Sequence, residues 1–345
     1  MGNMKKIAYG AVGVILLFTT IFTGRTGLGE ENIEIYKKAL ELQSKMEGTG
    51  FENFRLEDYT VAFYDGKNDY VIVNSDTEIT TQKREPVMDT LVATAWETDG
   101  EYQVLCPTVE KLQGLVNMLM PAAQVQTTPE DTDSANTDNA YTQESHVATI
   151  WHEAFHCYQL TNYEQGIEKL IGAEDRETAN VADTNLIVTE VDGNEQVVNL
   201  YKKEIALLEK AINEDDLDVV KEIILEYKQL DEERKEFLSS ECQLAEAYYT
   251  VMEGTAYYVE ELAYANLQQP EKQDDRTNKN VVWDINQTSA NDIKLEPYTE
   301  GTNKYYNIGR AQCLILDKLS PDWKADYDFS RELIELIYEE AGILQ

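Results

Sequence analysis

The chain has 345 residues, enough for one large domain or two modest ones, with 29 basic against 65 acidic side chains and a formal charge of −36. A surface that negative repels nucleic-acid phosphates and anionic lipid, which removes both as partners of the folded body. The excess reads as a heavily solvated surface; the sharper alternative is a field that draws cationic substrates or divalent ions.

In chain order, Lys5 and Lys6 come first, then an uncharged, mainly apolar run from Ile7 to Thr23, then Arg25. As a helix rising about 1.5 Å per residue, the run only just reaches across a hydrocarbon core. Residues 1–29 are therefore expected to be a signal peptide or an N-terminal membrane anchor. No small-x-small cleavage site stands out near Gly24, which tilts the reading toward an anchor. Lysines on the short side place everything that follows outside the cytoplasm, anchored or secreted.

Residues 30–120 read as a small α+β lobe. A short helix carries Ile33, Tyr36, Leu40 and Leu42 and is closed by Gly48 and Gly50. Two hairpins follow. Tyr59–Tyr64 and Tyr70–Val73 flank the turn Asp65–Asp69, and Thr90–Trp96 and Tyr102–Leu105 flank Asp99-Gly100. Pro107 and Thr108 then lead into a helix ending near Met120. Residues 121–143 are polar and read as a surface loop or disordered segment.

Helical patterning dominates residues 144–345. Ile205, Leu208 and Ile212 mark one helix, and Leu217, Val220, Ile224, Tyr227 and Leu230 the next. Together they form a long charged hairpin over 190–240, a lid or spacer rather than an arm for a partner. The polar stretch Gln268 to Lys304 separates it from two last helices. Cys106, Cys157, Cys242 and Cys313 match no zinc-ribbon or CxxC spacing, although outside the cell they could form disulfides. Cys157 lies in an apolar helical pattern and reads as a small buried side chain.

The chemistry is carried by His152-Glu153-Ala154-Phe155-His156. Residues four apart share one face of a helix, so both imidazoles can reach one metal ion, and Glu153 beside them can take a proton from a water there. Val147, Ile150, Trp151, Ala154, Phe155 and Tyr158 supply the apolar stripe such a helix needs, away from the histidines. A catalytic zinc requires a third protein ligand. His146, the only other histidine, points roughly 120° away around the helix and is a poor candidate. The Gly and His of a metzincin extension are absent, Gln159 and Asn162 standing there instead. The best remaining donor is Glu253 in Glu253-Gly254-Thr255-Ala256-Tyr257, with Glu246 and Glu260 as alternatives on the same face. Gly254 lets another backbone or a substrate come close.

This pair of segments, His-Glu-x-x-His and Glu-Gly-x-Ala-x-Tyr, resembles the gluzincin metallopeptidases, the thermolysin-like group. The resemblance covers residues 144–165 and 241–265 and implies zinc bound by His152, His156 and Glu253, with Glu153 as general base. It departs from that group in the long gap before Glu253 and in having Tyr257 where an aspartate supports the metal site. Gly301-Thr302-Asn303-Lys304 fails as an aspzincin motif because Lys304 replaces the ligand aspartate. A hydrolase also needs a donor to the developing oxyanion, for which Tyr257, Tyr305, Tyr306 and Arg310 are candidates. A strand edge of the N-terminal lobe would suit an extended peptide.

The expected fold is α+β and predominantly helical: a zincin-like catalytic domain with a small N-terminal sheet lobe and a long inserted hairpin. The expected function is zinc-dependent hydrolysis of a peptide or protein substrate. The alternative is a surface binding or envelope-assembly protein that keeps the fold without turnover.

Overall fold

In the computed structural model the chain is described over residues 27–47, 51, 53–74, 78–89, 92–112, 142–172, 184–268 and 293–343. Helix α1 (Glu30–Glu41) buries Ile35, Tyr36 and Ala39, and a further turn, Gln43–Met46, follows it. Leu28 is already part of the core, so the folded body begins before residue 30. The expected signal or anchor segment lies, but for its last residues, outside the described residues. Among the described residues no helix is long and apolar enough to cross a membrane.

Five strands follow: β1 (Val61–Tyr64), β2 (Asp69–Asn74), β3 (Ile79–Arg84), β4 (Thr94–Thr98) and β5 (Glu101–Pro107). They form one sheet in the order β3-β2-β1-β5-β4, with β1 and β5 parallel and every other pair antiparallel. Both hairpin turns form where the sequence places them. Asp65 accepts the N–H groups of Lys67 and Asn68, and Asp99 and Gly100 both take positive φ, as a tight right-twisting hairpin demands. The central strand β1 is buried along its whole length. Two expectations need correction. The fourth strand begins at Thr94 rather than Thr90, and β3 was missed because Ile79-Thr-Thr-Gln-Lys-Arg84 is too polar to show an apolar alternation.

The second half is helical. Helix α2 (Gln143–Asn162) is opened by a capping box in which Thr142 and Ser145 satisfy each other's backbone N–H groups. The expected polar loop therefore ends at Thr142. Most of that loop, and the helix expected to reach Met120 beyond its first residues, lie outside the described residues. After α3 (Glu164–Leu170), a turn at Thr184–Leu186 runs into a π-helix, Ile187–Asp192, which the sequence reading did not assign. Then come α4 (Glu195–Asn213), α5 (Leu217–Lys235), α6 (Ser240–Gln268), α7 (Asn303–Leu319) and α8 (Leu333–Glu340).

Helices α4 and α5 are the expected hairpin, but it is not a loose spacer. Val197, Tyr201, Leu208, Val220, Ile224 and Tyr227 are buried, α4 packs on α7, and α5 packs on α8. One hydrophobic core runs from Leu28 through the sheet to Tyr338, with α2 packed against β4 and β5 and α6 against both α2 and α7. The fold is α+β and dominated by helices. All four cysteines are buried and unpaired.

Candidate metal centre

The apolar stripe of α2 (Val147, Ile150, Trp151, Ala154, Phe155 and Tyr158) is wholly buried against the sheet and α1, and the Trp151 indole donates to the Ala39 carbonyl. That fixes the rotation of the helix and turns His152 and His156 toward α6. There they meet Glu253, 97 residues beyond His156 in the chain. The Nε2 atoms of the two histidines are 3.1 Å apart, and Oε2 of Glu253 lies 3.2 Å from Nε2 of His156 and 3.4 Å from Nε2 of His152. Four ligands held tetrahedrally about 2.0–2.1 Å from a zinc ion are separated by roughly 3.3 Å, so the three atoms stand as they would around one ion. This is the one group of three or more such donors among the described residues.

The approach of α7 is set by two glycines. A Cβ on Gly254 would sit 2.4 Å from the Cα of Gly309, and one on Gly309 would sit 2.2 Å from the Thr250 carbonyl oxygen. Gly254 thus serves the close approach of a backbone, that of α7. The contact brings Tyr306 to the site, where its ring stacks on His152 at 5.9 Å with 15° between the planes. Tyr257 packs edge-on to Tyr306. Arg310, one turn beyond Tyr306, pairs with Glu261 at 3.4 Å and lies over the Tyr257 ring.

Other candidates fall elsewhere. Glu246 is excluded as a ligand, because it accepts from Arg234 at 2.6 Å and from the hydroxyls of Tyr201 and Tyr305. The same bond removes Tyr305 as an oxyanion donor. Glu260 does reach the histidines, but from the far side: its Oε2 is 2.9 Å from Nδ1 of His152, opposite the nitrogen that faces Glu253, and off the line of a hydrogen bond. His146 is buried against Phe63, and burial lowers its pKa to about 4. Lys304 pairs with Asp192.

One functional residue went unread. Gln159, fully buried and one turn beyond His156, faces Nδ1 of that histidine at 2.8 Å. Its position at i+3 from His156 was the only signal the sequence offered.

Charge is concentrated here out of water. Burial pushes the Glu153 carboxyl up, only partly opposed by the two histidines. Burial alone would raise Glu253 too, but His156 and His152 overcome it and hold that carboxyl well below the usual range. Burial depresses His152, yet Glu253, Glu260 and Glu153 outweigh it and lift the imidazole to about 10. Two imidazoles and an ionised carboxylate converging on one point, with a second carboxyl alongside, suit a borderline divalent cation and a proton acceptor next to it.

No protein-family model, curated protein or solved structure matches this chain.

Proposed function

We propose that the chain is a zinc-dependent peptidase with a gluzincin-like, zincin-type site, acting outside the cytoplasm as a secreted or N-terminally anchored protein. The observation that carries this reading is the convergence of His152, His156 and Glu253 from helices far apart in sequence, with Glu153 beside them. Zinc bound there supplies a Lewis acid that polarises a carbonyl and acidifies a water molecule toward neutral pH. Glu153 takes the proton of the attacking water and hands it to the leaving amine, a role suited to a carboxyl raised by burial. Tyr306, stacked on His152, would donate to the developing oxyanion. Tyr257 and Arg310 close the same wall and orient it.

The substrate class is supported by the sheet. Strand β4 packs against α2, and among the described residues its outer edge pairs with no strand. An extended peptide can add there by backbone hydrogen bonds, beside the exposed indole of Trp96.

The deciding experiment measures zinc content and peptide hydrolysis on the purified chain and on Glu153→Gln and His152→Ala. The expected result is about one zinc per chain in the wild type and in Glu153→Gln. His152→Ala should lose the metal, and both variants should lose turnover. Turnover undiminished in Glu153→Gln sinks the mechanism. Zinc bound without hydrolysis of any peptide library would favour a binding protein on the same fold.

A further inference from the structure

We infer that Gln159 is a positioning residue that sets the tautomer of His156 and ties it to the seating of the helix carrying Glu253. The inference deepens the peptidase reading and rests on it for its consequence, but not for its geometry. Gln159 is completely buried, and its amide has three partners. Nε2 lies 3.2 Å from the Met252 carbonyl oxygen and 2.8 Å from Oγ1 of Thr255, while Oε1 lies 2.8 Å from Nδ1 of His156.

The orientation of that amide follows from its partners. A backbone carbonyl can only accept, so the group facing Met252 must be the NH2. Thr255 agrees, since its hydroxyl donates to the Val251 carbonyl at 2.7 Å and is left to accept from Gln159. The amide oxygen is therefore turned to His156, and Nδ1 must carry the proton. Nδ1 is thereby committed to Gln159, and Nε2, which faces His152 and Glu253, is the nitrogen left to ligate a cation once one replaces its proton to the Glu253 carboxylate. One side chain thus selects the nitrogen that binds and holds α6 at the height that brings Glu253 to it. Met252 and Thr255 flank Glu253 in the chain, so the two constraints are mechanically one.

The test uses the full chain with histidine labelled with 15N in its ring, a small spectrum because there are only three histidines. Two variants are compared, Gln159→Glu and Gln159→Met. The first keeps an acceptor for Nδ1 but loses the donor to Met252; the second loses both. In the metal-free wild type at alkaline pH, His156 should show a protonated Nδ1. Gln159→Glu should keep that pattern despite a lower melting temperature, and Gln159→Met should lose it. Zinc affinity, read by chelator competition, should fall about 10- to 100-fold in Gln159→Met and stay near wild type in Gln159→Glu. A residue that merely packs would leave both variants with the wild-type tautomer and affinity, and that result overturns the inference. If Gln159→Met does not fold, the wild-type spectrum decides: a bare Nδ1 on His156 refutes it. Should the wild type bind no zinc, the peptidase reading fails while the tautomer still answers for Gln159.

Discussion

His152 stands among three carboxyls, with Glu253 on one ring nitrogen, Glu260 by the other and Glu153 next in sequence. In the metal-free fold its pKa is raised from 6.5 to about 10, so the folded chain holds a proton that the unfolded chain gives up in that interval. Stability from this group is present below 6.5 and lost as pH rises toward 10. Denaturant titrations of metal-free protein across this range should show the midpoint falling, and His152→Gln should flatten the fall. Zinc displaces the same proton, so its binding should strengthen with pH and release protons in calorimetry. Tyr306→Phe should keep the metal and lower kcat by about 100- to 1,000-fold if its hydroxyl serves the oxyanion, and metal content with steady-state rates checks both. At this scale the sequence was partly legible. The two histidines were readable because helical spacing alone aligns them, and Glu253 because of the motif around it. Spacing cannot tell what lies across a helix face, so Glu246 and Glu260 stayed open as alternatives on the face of Glu253. In the structure one meets Arg234, one the Nε2 atoms of both histidines and one the back of His152.

Between elements, the site depends on how closely α6 and α7 cross. Gly254→Ala gains helix propensity, but its methyl would lie 2.4 Å from a backbone atom, which cannot rotate aside. The overpacking should prevail, costing about 1–3 kcal/mol and moving Tyr306 off His152. Thermal melts and loss of turnover test this together. The hairpin matters as much. Arg234 on α5 sits buried among Glu204 at 2.9 Å, Asp231 at 2.8 Å and Glu246 at 2.6 Å, and Glu246 also receives Tyr305, the neighbour of Tyr306. Arg234→Met leaves these carboxylates without their cation and should cost about 3–5 kcal/mol. Burial already lifts Glu204 to about 7 with Arg234 present, so the variant should regain stability in mild acid, the opposite of an ordinary loss of packing. Both hairpin turns and the α4–α5 pair were visible from Gly, Asp and heptad-like apolar spacing. The docking of that pair was not, because apolar spacing does not name the partner helix, and the buried Glu204, Asp231 and Arg234 that lie in it read as surface.

For the whole molecule, one core unites segments that the sequence suggested were separate lobes. Composition indicated an acidic exterior but could not show that so many of the acids, Glu153, Glu204, Asp231 and Glu246 among them, are buried. The separation of 97 residues between His156 and Glu253 has a consequence beyond catalysis. Disulfides commonly limit the freedom of a denatured chain, yet the four cysteines here are unpaired and buried. A cation shared by α2 and α6 would close a loop of that length as a removable staple. A covalent link of this span is worth as much as about 4.7 kcal/mol in chain entropy. Mass action would add about 2.7 kcal/mol of stability at a hundredfold excess over Kd. On the proposed reading, chelation should then do more than stop turnover: it should open the segment between residues 157 and 252 to proteases, so that endurance as well as activity would depend on the local supply of metal.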